Sequence, residues 1–186
     1  KLGFNTGQCN QAFSWLSARP YSAAACLLTL EKVRGADSSR RASIVAEVWH
    51  QSTYRFTELK SVQTDTNSKL ESLTIAVRDA KAARAARKGA SQGNALGLGM
   101  SFSRRLANLP GNVCTPSYLA DTAKDLATGV RNLKCKVLSE SEMKKLGMGS
   151  LLSVSAGSSQ PAKLIVLEYT GAAKSRQPTV LVGKGV

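Results

Sequence analysis

The sequence has little of the material from which most catalytic and metal sites are built. Its 186 residues include a single histidine, His50, and only 12 Asp and Glu residues. A Ser-His-Asp or Cys-His enzyme would have to use His50, which lies in the context Trp49-His50-Gln51 with no catalytic signature around it. We therefore expect His50 to be a structural residue whose side chain is satisfied by neighbours.

The four cysteines are too far apart in sequence to form a metal-binding or redox pair. They occupy positions 9, 26, 114 and 135, so there is no Cys-x-x-Cys motif, and only one imidazole is available for a zinc site. A disulfide scaffold is not expected at this density, and no Asn-x-Ser/Thr sequon is present. Reduced thiols in a cytoplasmic compartment are the better interpretation.

No hydrophobic run is long enough to cross a membrane. The longest apolar stretch, Ala23 to Leu30, is interrupted by Thr29 and falls well short of the roughly 20 residues that a spanning helix needs. The first 30 residues contain no acid, but only Lys1 and Arg19 are basic there, whereas transit peptides are rich in arginine. We expect neither a membrane-spanning segment nor a transit peptide.

What the chain does have is a large excess of positive charge. It carries 26 Lys and Arg residues, which gives a formal net charge of +14, and its hydrophobic content of 42% is sufficient for a packed core. Four of the cations, Lys81, Arg84, Arg87 and Lys88, lie together in an alanine-rich stretch. A solvated helix face and a phosphate-binding surface both remain open, although no aromatic residue follows the cluster until Phe102.

Strands that alternate with helices indicate an α/β fold. In the first half, the hydrophobic pattern predicts a buried strand over Ala23–Leu30, a helix over Ser43–Leu59 and a half-buried strand over Leu70–Val77. A helix over residues 80–107, exposed at first and packed later, would connect this half to the second.

The second half carries clearer start and stop signals. Thr115 with Pro116 predicts a helix start, and Ser139 with Glu142 predicts a capping box for a helix that ends at Gly147. Strands, the last two of them buried, are predicted over three segments: Lys134–Leu138, Lys163–Tyr169 and Thr179–Val182. With helices between them, these strands favour a mainly parallel sheet.

Lys184 is the candidate functional residue. It follows the predicted strand Thr179–Val182, and open α/β sheets place their sites beyond the carboxyl ends of strands. Gly183 and Gly185 permit close backbone approach, so the lysine could be partly desolvated, its pKa lowered and its neutral amine used as a metal ligand. A solvated lysine in a tail is the alternative, and these considerations alone favour it. A phosphate loop is excluded because Pro178 replaces a required glycine.

Five ordered motifs occur at compatible spacing over residues 102–186. They are Arg105–Ala120, Glu142–Gly149, Leu152–Ser158, Leu164–Tyr169 and Val180–Val186, the last of which reads Val-Leu-Val-Gly-Lys-Gly-Val. This series resembles the domain junction and catalytic domain of the leucyl aminopeptidase family, also called cytosol aminopeptidases. The segment His50–Phe56 is similar to the family's amino-terminal domain, whereas residues 1–35 match poorly.

The resemblance implies a domain organisation. It places part of a macro-like α/β domain at residues 1–79, a linking helix at 80–107 and the incomplete first part of an α/β metallopeptidase catalytic domain at 108–186. It also implies a cytoplasmic homo-hexamer.

The resemblance further implies an activity. Family members are metallo-exopeptidases that remove N-terminal residues, often leucine, from peptides with the help of two divalent metal ions such as zinc or manganese. Lys184 occupies the position of a family metal ligand, which outweighs the tail interpretation. The family's carboxylate ligands and its catalytic lysine and arginine would follow Val186, so no catalytic residue is expected within this chain, and the chain alone should be inactive. A non-catalytic structural or DNA-binding role is the alternative, because some family members bind DNA.

Overall fold

The computed structural model describes residues 6–19, 22–27, 36–61 and 70–185. These residues fall into two units, one over Lys1–Asn108 and the other over Leu109–Val186. Each unit has its own secondary structure and its own hydrophobic cluster.

The first unit combines helices with a short parallel strand pair. Its elements are α1 (Thr6–Ser17), β1 (Ala23–Leu27), α2 (Ser38–Thr53), β2 (Ser72–Ala76) and α3 (Ala80–Asn108). Strands β1 and β2 are parallel, with Ala23 opposite Ser72 and Leu27 opposite Ala76. The parallel arrangement was expected for an α/β fold, and β2 is shorter than the predicted strand Leu70–Val77. Residues 28–30 of the first predicted strand lie outside the described residues.

The core of the first unit is built around α2. Ala42, Val45 and Val48 are completely buried, and Phe13 and Ala86 close the cluster from α1 and α3. These three α2 residues recur at spacings of three, so they form one face of the helix.

Helix α2 begins earlier and ends earlier than the hydrophobic pattern predicts. Asp37 caps it, because its side chain accepts a hydrogen bond of 2.7 Å from the backbone N–H of Arg40. The helix ends at Thr53 because Tyr54 adopts an extended conformation, with φ −60° and ψ 130°. The predicted boundaries, Ser43 and Leu59, followed the apolar residues alone and missed the cap.

Helix α3 packs against α2 through glycines. A Cβ atom added at Gly89 or Gly93 would collide with the backbone carbonyl of Ser39 or Ser43, and one at Gly97 would lie 2.5 Å from the His50 ring. The prediction that this helix is exposed early and packed later is therefore wrong. Its packed face runs from Ala86 to Gly97, because four-residue spacing places the glycines on one side.

The second unit confirms the predicted helix caps. Its elements are α4 (Pro116–Gly129), β3 (Leu133–Leu138), α5 (Glu140–Lys145), α6 (Gly149–Ser155) and β4 (Leu164–Tyr169). Thr115 caps α4, and Ser139 and Glu142 form a complete capping box at α5. Gly147, with φ +71°, stands just after α5 in the left-handed conformation that favours glycine.

The strand pair of the second unit is antiparallel, so the predicted parallel sheet is wrong here. Leu138, at the end of β3, lies opposite Leu164, at the start of β4. Two short helices, α5 and α6, stand between these strands, and the chain enters β4 at the same end at which it left β3. A single crossover helix would have carried the chain back to the opposite end.

Two strands predicted as buried are not buried in this structure. In β4, Val166, Leu167 and Tyr169 are exposed, and the buried cluster of the unit instead contains Leu138, Met143 and Ala162. The segment Thr179–Val182 forms no strand at all. A strand requires a neighbour for its backbone N–H and C=O groups, and no described strand pairs with this segment.

Among the described residues, no helix combines the length and the apolar character that crossing a membrane requires. The longest helix, α3, contains six Lys and Arg residues.

Candidate functional site

Lys184 lies in an exposed stretch that follows β4. Residues 170–185 form neither helix nor strand, and Val180, Leu181 and Val182 are 75%, 92% and 93% exposed. Lys184 is exposed as well. Nothing within the described residues covers its amine, so the partial desolvation that the sequence leaves open is not seen among them.

The glycines beside Lys184 leave open space around the backbone. A Cβ atom added at Gly183 or Gly185 would meet no other atom within 4 Å. The close backbone approach that these glycines permit is thus not used by any described part of the chain. The space remains free for a neighbour that the described residues do not supply.

Turns lead the chain from β4 toward Lys184. The backbone N–H of Thr170 donates to the carbonyl of Asn132 at 2.9 Å, which ties the end of β4 to the start of β3. Further along, Arg176 donates its backbone N–H to the carbonyl of Ala173 at 3.0 Å. The antiparallel pair therefore anchors the beginning of the Lys184 segment.

The side chains present do not fit a two-metal centre. Within the described ranges, no group of three or more His, Cys, Asp and Glu residues could hold a metal ion. Cys114 and Cys135 are free thiols, and the Nε2 atom of His50 lies 2.8 Å from Asn94 Oδ1. One lysine amine cannot bind two ions by itself, so Lys184 could supply at most one ligand.

His50 has the structural role that the sequence predicts. Its hydrogen bond to Asn94 joins α2 to α3, and its ring lies directly over Gly97. This hydrogen bond gives the Nε2 atom of His50 a partner at the place where the two helices contact each other. No described residue gives His50 a catalytic partner.

Polar contacts join the end of α2 and the residues after it to the carboxyl half of α3. Arg104 donates to the carbonyl of Gln51 at 3.2 Å, and its guanidinium lies 4.2 Å from the centre of the Tyr54 ring. Asn108 donates to the Tyr54 hydroxyl at 3.1 Å. The sequence contains these residues but gives no signal of their pairing, because the paired residues are fifty or more positions apart.

Arg105 and Glu58 form the two-point ion pair of this region. The guanidinium donates to both carboxylate oxygens, at 2.5 and 2.8 Å. This hydrogen bonding, with the positive charge of Arg105, lowers the pKa of Glu58 against the opposing effect of desolvation. The sequence marks Arg105 only as the first residue of a family motif, and the structure gives it a role within the first unit.

An open surface depression lies beside α5 and α6, away from the predicted site residue. It encloses about 340 Å³, and its lining is mostly polar: Glu140, Ser141, Lys144, Leu152, Ser155, Ala156 and Ser158. Glu140 already accepts a hydrogen bond from the backbone N–H of Ala162 at 2.8 Å. This carboxylate therefore serves the fold of the second unit.

Comparison with known proteins gives a family match for the second half. Residues 101–186 match the model of the catalytic domain of the cytosol aminopeptidase family. A probable cytosol aminopeptidase of Nitrosococcus oceani is 43% identical over 155 residues, which are 83% of this chain and 31% of that protein. Another, from Chromohalobacter salexigens, is 42% identical over 177 residues, which are 94% of this chain and 35% of that protein.

Solved structures share the fold. The bottromycin maturation enzyme BotP in complex with Mn is 25% identical, with a TM-score of 0.71, over 89% of this chain and 34% of that chain. A mutant of tomato leucine aminopeptidase is 22% identical, with a TM-score of 0.76, over 92% of this chain and 34% of that chain, a likeness that shows the fold alone.

The predicted α/β class is confirmed, and the fold is that of an α/β aminopeptidase domain. The chain belongs to the cytosol aminopeptidase family. It spans about a third of the length of the curated relatives named above. The assignment of Lys184 as a metal ligand, the division at residues 79 and 107, and DNA binding stay predictions.

Proposed function

We propose that this protein acts in a metal-dependent aminopeptidase that removes N-terminal residues, leucine among them, from peptides. The match of residues 101–186 to the family's catalytic domain carries the proposal, because it includes the Val-Gly-Lys-Gly motif at Lys184. The curated relatives, which are 42–49% identical, are probable cytosol aminopeptidases, and the BotP structure contains manganese. By the same family likeness we propose a cytoplasmic homo-hexamer.

Lys184 is the residue of this chain that we assign to the metal centre. Its amine is exposed and thus open to a metal ion, and Gly183 and Gly185 leave room around it for further ligands. An amine must be unprotonated to bind a metal, so binding should release a proton and strengthen with pH. The carboxylates of a two-ion zinc or manganese centre would be those that the family carries beyond this motif.

The test measures leucine release and bound metal in the same preparations. The protein, purified as its gene encodes it, should cleave a leucyl anilide in the presence of manganese and lose this activity on chelation. Lys184→Gln should lower kcat/KM by about 100-fold or more and reduce the bound metal measured by mass spectrometry. A polypeptide that ends at Val186 should be inactive.

Lys174→Gln provides the matched control, because Lys174 is an exposed lysine in the same irregular segment. It should leave activity and metal content unchanged. Cleavage that survives chelation would contradict the metal-dependent activity. Unchanged metal content in Lys184→Gln would contradict only the assignment of Lys184.

A further inference from the structure

A stripe of exposed residues runs along the side of α3 that faces away from α2. The packed side carries Ala86 and the three glycines that contact α2. At 100° per residue, the opposite side carries seven exposed residues separated alternately by three and four positions. These residues, here called the outer stripe, are Lys81, Arg84, Lys88, Ser91, Ala95, Leu98 and Phe102.

The amino-terminal half of the outer stripe is basic and has no acidic partner on its own helix. Helix α3 contains no Asp or Glu in 29 residues. Within the described ranges, the ion pairs found do not involve Lys81, Arg84 or Lys88. The nearest acid in sequence, Asp79, accepts a hydrogen bond of 2.7 Å from the Ala82 N–H and pairs with Arg78 at 2.9 Å.

The positions of Lys81 and Arg84 are unfavourable for the helix dipole of α3. The amino-terminal end of a helix carries a partial positive charge, which favours acids and disfavours Lys and Arg. The first turn of α3 nevertheless contains no acid, and Lys81 and Arg84 lie at this end. An acidic group from another molecule would relieve the repulsion.

The carboxyl-terminal half of the outer stripe is apolar. Leu98 is 53% exposed and Phe102 is 37% exposed, and Ala95 is exposed one turn before Leu98. Alternating spacings of three and four residues are the pattern by which one helix presents a seam to another. Over 22 residues, the stripe is about 30 Å long, so it could be covered by a partner helix of similar length.

We propose that the outer stripe of α3 docks an α-helix of another protein. The partner helix would carry acidic residues opposite Lys81, Arg84 and Lys88, and apolar residues opposite Ala95, Leu98 and Phe102. The basic half of the outer stripe favours an acidic partner because of charge complementarity. The apolar half favours a partner with apolar side chains, which a protein surface provides. A second copy of this chain fits poorly with its own α3, because the two helices would bring like charges together.

Duplex nucleic acid fits the stripe less well than an acidic helix. The basic half extends about 10 Å along α3, which corresponds to roughly three base pairs. A phosphate backbone would also leave Leu98 and Phe102 uncovered. Nucleic acid is therefore one of the outcomes that the experiment separates.

The experiment uses the whole chain and designed helical peptides of about 24 residues. Each peptide has Glu at the contact positions of one half and Leu at those of the other, and two peptides with the halves in opposite order sample both helix orientations. Binding is followed by fluorescence anisotropy at low salt. One of the two orders should bind at least about tenfold more tightly than a scrambled peptide of the same composition.

Two paired variants test the two halves separately. Arg84→Gln with Lys88→Gln, and Leu98→Ser with Phe102→Ser, should each weaken binding about tenfold or more, while circular dichroism shows that the helices remain. The control pair, Lys134→Gln with Lys136→Gln, removes the same charge from exposed positions on β3 and should leave binding unchanged.

Three results would overturn the proposal. In the first, neither peptide order binds better than the scrambled peptide. In the second, the β3 control pair weakens binding as much as the α3 pair. In the third, a short DNA duplex or an anionic vesicle binds more tightly than either peptide, and only the loss of basic residues weakens it. None of these results depends on the aminopeptidase activity.

Discussion

The α2–α3 pair of the first unit and the segment from β4 to Lys184 in the second differ in how far their apolar side chains are buried. Val45 and Val48 are fully buried in the core of the first unit, whereas Leu181 and Val182 are more than nine-tenths exposed. Both regions contain branched apolar residues, so composition does not explain the difference. An opposing surface does: α1, β2 and α3 cover α2 on its different sides, and no described element covers the Lys184 segment.

Helix α3 supplies one part of the opposing surface in the first unit, and it comes very close to α2. Gly89 and Gly93 place bare backbone against the carbonyls of Ser39 and Ser43, so the two helices meet without side chains between them. Such close contact adds many van der Waals interactions for each turn of helix. The side of α2 that carries Val45 and Val48 is covered instead by Phe13 of α1 and by Leu73 and Ile75 of β2.

The largest effect is expected from the same truncation made once in each region. Val45→Ala should lower the free energy of unfolding of the first unit by about 2–3 kcal/mol, because it leaves a cavity at a fully buried site. Val182→Ala should change stability by less than about 0.5 kcal/mol. Both tryptophans, Trp15 and Trp49, lie in the first unit, so denaturant titration followed by their fluorescence measures the first variant.

Hydrogen exchange of the β3 and β4 amides measures the second variant of this pair. If Val182→Ala lowers the free energy of unfolding as much as Val45→Ala does, the Lys184 segment is buried in solution. The contrast between the two regions would then be wrong.

Local signals in the sequence predict the elements well and their pairings poorly. Thr115 and Ser139 act on N–H groups three residues away, so the sequence alone contains the whole of each cap. The direction of β4 depends on how α5 and α6 turn the chain, and no local pattern encodes that turn. Glycines spaced four residues apart destabilise an isolated helix. They stabilise the packed structure only when a second helix lies against them.

The candidate site shows the same limit. The family motif identifies Lys184, but burial of its amine requires a covering surface that no described residue supplies. For the same reason, the pattern of Thr179–Val182 predicts a strand that has no partner here. A hydrophobic run encodes the tendency to be covered, and the covering element comes from elsewhere in a protein.

Smaller changes in stability, of opposite sign, are expected at two glycines of α3. Gly93→Ala should destabilise the first unit by about 2 kcal/mol, because its Cβ meets the Ser43 carbonyl. Gly99→Ala, in the same helix but with open space around its Cβ, should stabilise it by about 0.5–1 kcal/mol through helix propensity. Denaturant titration with tryptophan fluorescence measures both, and stabilisation by Gly93→Ala would exclude the close helix contact.

The smallest effect concerns the edge of the packed region, where Arg105 holds Glu58. The pKa of Glu58 is lower in the folded chain than in the unfolded chain, so the folded state binds fewer protons near that pKa. The ionised Glu58 carboxylate therefore stabilises the folded state above the ordinary pKa of about 4.3. This stabilisation is lost as the pH falls through the lowered pKa. Arg105→Gln should reduce the loss of stability between about pH 6 and pH 3, as followed by tryptophan fluorescence.

Arg78→Gln is the control, because the backbone N–H of Ala82 is the largest cause of the lowered pKa of its partner, Asp79. If the two variants flatten the acid transition equally, the Arg105 pair does not hold residues 54–61 to α3 more firmly than an ordinary surface pair.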